Sequence, residues 1–556
     1  MSILLSLFAV TVCSFSLVPS TTESEIEYPN VLVSDNVGFS NEEDVAVNVF
    51  YKRRAPLSYC REEKIAFYTA YIKEQADKIA KTGFQFADIT CAKTMPVLTM
   101  HYDGAQLNDV KADIVGRLCW DEIEQVYIER DYQYLPEDEQ LSKEIAYDGR
   151  DCHPIAKAAD NWTDYRDIQY DRYSATTYSG KGIKIGVAES GYLDVHHANF
   201  ADSNIVLHSR SNQIYQAYDT PPHIALVMSV LTGKYGVAPR AEVHVVDGNT
   251  SPYTGFRYLD YFVQWGMDVI SLSLSSPATD KNAYFDFIVD NYQIPIVAAC
   301  SNSLKESLWQ PASAQNVISV CSVTPDYKIG SGSNIRACDV TSNFRIAAVG
   351  HGRKVNVYGN NQTIYGTSFA TPAVAGTIAL MMEKNSAMKH NPAFVMATLG
   401  NGANASIVAH NSNPNVSDTF ANGSGMYSWS GVGCLDIAQT LWLTGVSSPN
   451  TINFSSSSEY KLYTVDDAKP GQTIYLTHAW LRKASRSGDT YTSLPLSDFD
   501  LLICKPDNTI VARTTATYSN VERLTYTFTE SGNFVIKVKT YTINDNHYGV
   551  TCVRAV

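Results

Sequence analysis

Hydrophobic and polar positions change their period from region to region along this chain. From 45 to 135 both strand and helix periods occur. Val45, Val47 and Val49 alternate with polar or small residues, which predicts a half-buried strand over Val45 to Tyr51. Arg61 to Lys81 is rich in helix formers, with Ile65, Tyr68, Ile72, Ala76 and Ile79 at helical spacing. A hairpin is expected from Phe84 to Cys91 into a strand over Pro96 to Tyr102. A second amphipathic helix covers Leu107 to Leu118, and a strand over Ile123 to Glu129 closes the unit. The order β-α-β-β-α-β is the split, ferredoxin-like pattern of a small α+β domain.

From 159 to 446, short apolar strands alternate with helical patterns. Ile183 to Ala188, Ala241 to Val246, Asp268 to Leu274 and Ile294 to Ala299 are near-continuous apolar runs. Strands read this way when both faces are covered, so an α/β unit with a parallel sheet and helices on both faces is expected. From 450 to 556 the pattern turns to short strands separated by turn signals such as Lys505-Pro506-Asp507-Asn508. Strands over Tyr460 to Val465, Gln472 to Leu476, Asp498 to Cys504, Thr509 to Ala512, Glu522 to Thr527 and Asn533 to Lys539 predict a β-sandwich.

Composition narrows the setting. The chain has 556 residues, 45% hydrophobic and 18% charged, which is globular and long enough for several domains. A formal net charge of −14 argues against a nucleic-acid partner, which would need a basic stripe. An apolar run from Ile3 to about Val18, followed by Pro19-Ser20, reads as a signal segment over 1–20 and predicts a secreted protein. No later stretch is long and apolar enough to predict a membrane span. Leu135-Pro136-Glu137-Asp138-Glu139 opens an acidic linker over 136–158, a suitable place for a maturation cut. Of the 11 cysteines, Cys13 would leave with the signal, and an even number remains for an oxidising compartment. Their pairing cannot be read from spacing; Cys504 with Cys552 is the first pair to test. There is no C-x-x-C, H-E-x-x-H or EF-hand loop, so no metal site is indicated.

The most informative segment is Gly366-Thr367-Ser368-Phe369-Ala370-Thr371-Pro372. A serine follows a tight turn and opens a helix of small residues, whose unpaired first-turn N–H groups favour negative charge beside Ser368. Pro372 is expected near the helix start, where a missing N–H costs little. A plainer reading is a serine-capped core helix. The run closely resembles the nucleophile motif of subtilisin-like (S8 family) serine proteases. In that family the order is acid, histidine, serine.

The resemblance then implies roles position by position. Glu189, in Ile185-Gly186-Val187-Ala188-Glu189-Ser190-Gly191, stands where the family has aspartate and would orient the base. Asp194 is a substitute off the matching position. His223 opens an apolar helix and would be the base, although Ile224-Ala225-Leu226-Val227 departs from the family's usual Gly-Thr-His-Val. Gly236-Val237-Ala238-Pro239-Arg240-Ala241 anchors that register. His196 and His197 lie in a polar loop without matching context. Asn302 would donate to the oxyanion jointly with the Ser368 N–H. Peptide substrate would lie extended along Ser273, Leu274, Ser275 and Ala299, Cys300, Ser301. The family usually has glycine at the positions of Ser275 and Ser301, so a narrower, more polar pocket is expected.

The segment ending Glu124-Gln125-Val126-Tyr127-Ile128-Glu129-Arg130-Asp131 resembles the inhibitor propeptides of these proteases. Asp498-Phe499-Asp500-Leu501-Leu502 resembles their C-terminal β-sandwich modules. Together these imply a secreted endopeptidase made as a zymogen, with protein or peptide substrates and its own propeptide as inhibitor. No cofactor is required by this chemistry. Family members often bind structural calcium, but no loop here assigns one. The glycine losses, the glutamate and the rewritten segment after His223 motivate an alternative, an inactive scaffold used for binding.

Overall fold

The computed structural model describes residues 31–33, 43–53, 61–81, 88–91, 97–130, 178–200, 203–213, 221–249, 256–276, 281–302, 308–325, 328–330, 343–357, 360–403, 409–410, 420–421, 425–427, 430–446, 450–454, 458–487, 490–543 and 547–555. The expected signal segment and the linker over 136–158 lie outside them. The chain divides into two compact units, Met1–Tyr134 with Ser487–Thr490, and the remainder.

In the first unit the elements are β1 (Val31–Val33), β2 (Glu43–Tyr51), α1 (Arg61–Ala80), β3 (Asp88–Cys91), β4 (Val97–Ala105), α2 (Leu107–Arg117) and β5 (Ile123–Arg130). The sheet order is β1-β5-β2-β4-β3. Val45, Val47 and Val49 are fully buried and pack with Ile72 of α1, Ile114 of α2, and Met100 and Ile128 of the flanking strands. The period-2 alternation of β2 is what aims these valines at the helices. β1 runs parallel beside β5 and is too short for its alternation to be read from sequence.

The second unit begins with β6 (Lys184–Ala188), β7 (Asn204–Leu207), α3 (His223–Leu231), β8 (Glu242–Val246), α4 (Tyr258–Gln264), β9 (Val269–Leu272), α5 (Asn282–Tyr292) and β10 (Ile296–Ala299). It continues with β11 (Ile318–Val323), β12 (Lys328–Ile329), β13 (Arg345–Val349), β14 (His351–Val357), β15 (Asn360–Tyr365), α6 (Thr367–Lys384), α7 (Pro392–Gly402), β16 (Ala409–His410), β17 (Phe420–Ala421), β18 (Met426–Tyr427) and α8 (Ile437–Val446). The main sheet runs β16-β12-β11-β10-β9-β6-β8-β7, with β13 on β11, and its central pairs are all parallel. β6, β8, β9 and β10 are buried along nearly their whole length, which is why they read as continuous apolar runs. Strand β9 ends at Leu272, earlier than the apolar run suggests, so Ser273, Leu274 and Ser275 leave the sheet. Ala370, Ala373, Ala375, Gly376 and Ala379 of α6 are all buried. A Cβ on Gly376 would stand 2.9 Å from Val237 Cβ, so only a glycine allows this approach.

The C-terminal sandwich comprises β19 (Asn450–Phe454), β20 (Glu459–Ala468), β21 (Thr473–Trp480), a hairpin of β22 (Ala484–Ser487) and β23 (Thr490–Ser493), β24 (Asp498–Cys504), β25 (Ile510–Arg513), β26 (Val521–Thr527), β27 (Gly532–Thr542) and β28 (His547–Ala555). Two four-stranded sheets, β19-β28-β21-β26 and β20-β27-β24-β25, close over Trp480, Phe499, Leu501, Phe534 and Ile536. Cys504 and Cys552 are separate buried thiols, not the disulfide expected. They sit in different sheets, and Cys552 Sγ lies 3.5 Å from Thr398 Oγ1 of α7. Among the described residues no helix is long and apolar enough to cross a membrane.

Candidate active site

Three elements converge at the C-terminal end of the parallel sheet. Glu189 follows β6 directly, and its N–H donates to the Val246 carbonyl at 2.8 Å, extending the β6–β8 pairing by one residue. His223 is the first residue of α3, after Pro222. Ser368 is the second residue of α6, after Gly366, whose φ of 152° forms the turn before it.

Glu189 Oε2 and His223 Nδ1 are 2.9 Å apart. The glutamate is 7% exposed, whereas 43% of the histidine side chain is accessible. An anionic carboxylate at Nδ1 holds the proton there and leaves Nε2 as the basic nitrogen. Burial pushes the carboxyl of Glu189 upward, His223 opposes this, and the charge of Asp247 adds to it. For His223, burial favours the neutral ring, but the charge and hydrogen bond of Glu189 outweigh it and raise the imidazole. Both shifts mean that the Glu189–His223 pair, taken together, holds its proton tightly. Phe369 packs beside the ring, with centroids 5.3 Å apart. Asp194 instead accepts from the His196 N–H at 3.0 Å, a local loop contact, and His197 Nδ1 accepts from the Asn199 N–H.

Among the described residues no hydrogen bond joins Ser368 to His223. The Ser368 hydroxyl donates to the Ser273 carbonyl at 3.2 Å, and the Ser273 hydroxyl donates to the Ser368 carbonyl at 2.7 Å. The second bond corrects the expectation for Pro372. Because α6 starts at Thr367, Pro372 lies inside the helix and would normally bond the carbonyl four residues back, that of Ser368. Ser273 satisfies the carbonyl that the proline leaves open. Resting hydrogen bonds at such sites are often loose and tighten when substrate arrives.

Asn302 is exposed at the end of the β10 segment. Its amide oxygen accepts from the Thr367 N–H at 2.9 Å and the Thr367 hydroxyl at 3.1 Å. That fixes the amide's orientation, with Nδ2 as its donor end. Sequence reasoning missed Thr367 and Ser273 in these supporting roles. It also missed Gly350, where a Cβ would collide with the Gly366 carbonyl oxygen and stand 2.8 Å from Ala370 N.

The residues expected along a bound peptide fall beyond the paired ends of β9 and β10. Val297 pairs with Ser271 and Ala298 with Leu272, after which the two segments part. Ser273, Ala299, Cys300 and Ser301 are buried, whereas Leu274 and Ser275 are half-buried. The Cys300 N–H donates to Val320 of β11, so it is not available to a peptide. Ser301 has φ of 83°, a left-handed conformation that costs a non-glycine residue energy.

The sequence model of the subtilase family, Peptidase S8, matches residues 180–425, the span that contains all four of these positions. Subtilisin DY of Bacillus licheniformis is 29% identical over 39% of this chain and 82% of its own. Subtilisin NAT of Bacillus subtilis subsp. natto is 28% identical over 37% of this chain and 57% of its own. A solved structure described as a cold adapted subtilisin-like serine proteinase is 23% identical, covers 44% of this chain and 88% of its own, and has a TM-score of 0.35. Residues 180–425 are thus the part of the chain that is similar to the subtilase family of serine peptidases.

Proposed function

We propose that the chain is a secreted serine endopeptidase that works through an acyl-enzyme on Ser368. The observation that carries this reading is the 2.9 Å bond between Glu189 and His223, on an accessible imidazole whose other nitrogen is left basic. Ser368 leaves its resting bond with Ser273 and attacks the peptide carbonyl while His223 Nε2 takes its proton. Asn302 Nδ2 and the Ser368 N–H donate to the oxyanion, the latter at the positive end of α6. His223 returns the proton to the leaving amine, and water repeats the sequence in reverse to release the acid. The peptide lies along Ser273–Ser275 and Ala299–Ser301, with Ser275 and Ser301 narrowing the primary pocket. The α+β unit over 45–135 serves as inhibitor until cleavage in 136–158. Hydrolysis of an unfolded protein substrate tests the reading. Ser368→Ala is expected to lower kcat by at least about 10⁴-fold; equal turnover by both proteins would refute it.

A further inference from the structure

Cys300 and Cys321 meet two residues before Asn302. Cys300 is the residue after β10, and Cys321 lies inside β11. The parallel register pairs Val297 with Ile318, Ala298 with Ser319 and Ala299 with Val320, so the two cysteines stand opposite each other at the next step. The Cys300 N–H donates to the Val320 carbonyl at 3.1 Å and holds that step in place. Both residues are buried thiols, 0% and 2% exposed, and their sulfurs are 3.6 Å apart.

A disulfide can close this spacing. Neighbouring strands lie about 4.8 Å apart, inside the range of about 4.4–6.8 Å between the α-carbons of bonded cysteines. The sulfurs must then approach to about 2.05 Å. Cys434 is no rival. It bridges to Ala347, which pairs with Cys321, so it stands two strand spacings, roughly 10 Å, from Cys321. The two thiols are not equally free to move. Cys321 is held between β10 and β13. Cys300 lies beyond the last pairing of β10 with β9, that of Ala298 with Leu272. Closure therefore falls mainly on Cys300. Ser301 follows it in the left-handed region, with φ of 83°, and has little room to absorb a shift. The shift then reaches Asn302, whose amide is oriented by the 2.9 Å bond from the Thr367 N–H.

We propose that Cys300 and Cys321 form a redox switch, whose closure to a disulfide draws Cys300 toward β11 and withdraws Asn302 from the oxyanion. This rests on the role assigned to Asn302 above. The oxidant is a hydroperoxide, with hydrogen peroxide small enough for a buried pair. One sulfur attacks a peroxide oxygen, the O–O bond breaks, and a sulfenic acid and water form. The second sulfur attacks the first, the S–O bond breaks, and a second water leaves. Two thiols thus lose two electrons and two protons, and the peroxide takes up both. A dithiol reductant reverses the step by exchange. Burial makes the first attack slow, so the test uses long exposure. Hydrogen peroxide on the Ser368→Ala chain should link Cys300 to Cys321, read by differential alkylation and peptide mass. The Asn302 side-chain amide, followed by NMR, should shift and return with dithiothreitol. In the wild-type chain the same treatment should lower kcat by about 10²-fold, the typical cost of a misplaced oxyanion donor, and dithiothreitol should restore it. Cys321→Ala should keep its kcat through the treatment. Absence of the link overturns the proposal, and so does a link that leaves the Asn302 amide or kcat unchanged. A loss that dithiothreitol does not restore, or that Cys321→Ala shares, is equally contrary. Should Cys321→Ala fail to fold, the link and its reversal in the other two chains decide. A wild-type chain without turnover before oxidation would refute the peptidase reading, while the link and the amide shift still judge the switch.

Discussion

Pro372 and Ser273 form a compensated pair that neither residue reveals alone. The proline withdraws a helix bond from the Ser368 carbonyl, and a hydroxyl from the segment after β9 replaces it. Ser368 is thus tied to the segment after β9 by both its carbonyl and its hydroxyl. The Glu189–His223 contact has a pH consequence. In the proposed mechanism His223 must be neutral to act as base, and Glu189 raises its proton affinity. Activity therefore falls as pH drops through that raised value, so the acid limb of kcat/KM should lie above about pH 6.5, the ordinary histidine value. A pH–rate profile checks this; a limb at or below that value would contradict it. Glu189, Asn302 and Ser368 could be singled out because each sits in a short run that resembles the family, and His223 through the downstream run Gly236 to Ala241. Thr367, as the residue that orients Asn302, could not; its partner lies far away in sequence, and only the folded chain brings the two together.

Among elements, the turn from β15 into α6 depends on a glycine in another segment. The Gly366 N–H donates to the Gly350 carbonyl at 2.9 Å, and Gly350 leaves no room for a side chain against Gly366 and Ala370. Gly350→Ala should push the turn outward and misplace Ser368. Loss of alignment on the scale of an ångström typically costs about 10²-fold, so kcat should fall by roughly that factor. Unchanged kcat would show that the turn is not so supported. The buried parallel strands were legible from continuous apolar runs. β13 was harder, because Arg345 interrupts its apolar run and yet is buried at 1% exposure. β7 was missed because only Ile205 of its residues is buried.

At the scale of the second unit, the sandwich is part of the core and not an appended module. Ala479, Leu481, Val521, Val550 and Cys552 belong to the same continuous apolar cluster as α6 and α7. All of Pro392–Gly402 is buried, and a Cβ on Gly400 would stand 2.7 Å from Thr477 Cγ2 of β21. Polar contacts reinforce the joint. Asp286, buried and pushed up to about 6, accepts from the Asn316 N–H at 2.8 Å and from Ser493 at 2.9 Å. The Asn316 side-chain amide donates to the Arg482 carbonyl and accepts from the Arg482 N–H, each at 2.7 Å, and Lys483 pairs with Asp290 at 2.8 Å. Truncation after residue 449 would uncover α7 and leave these groups unpaired, so the shortened chain should aggregate. A soluble, cooperatively melting 1–449 chain would contradict this. Sequence patterns announced the sandwich through its turns. They could not announce the joint, which depends on which face each strand turns toward α7. The proposed peptidase activity depends on an activated Ser368. A fluorophosphonate serine probe, read by intact mass, tests that most directly. The prediction is one adduct on the wild-type chain and none on Ser368→Ala. A folded wild-type chain, freed of the residues before 159, that takes no adduct would contradict it.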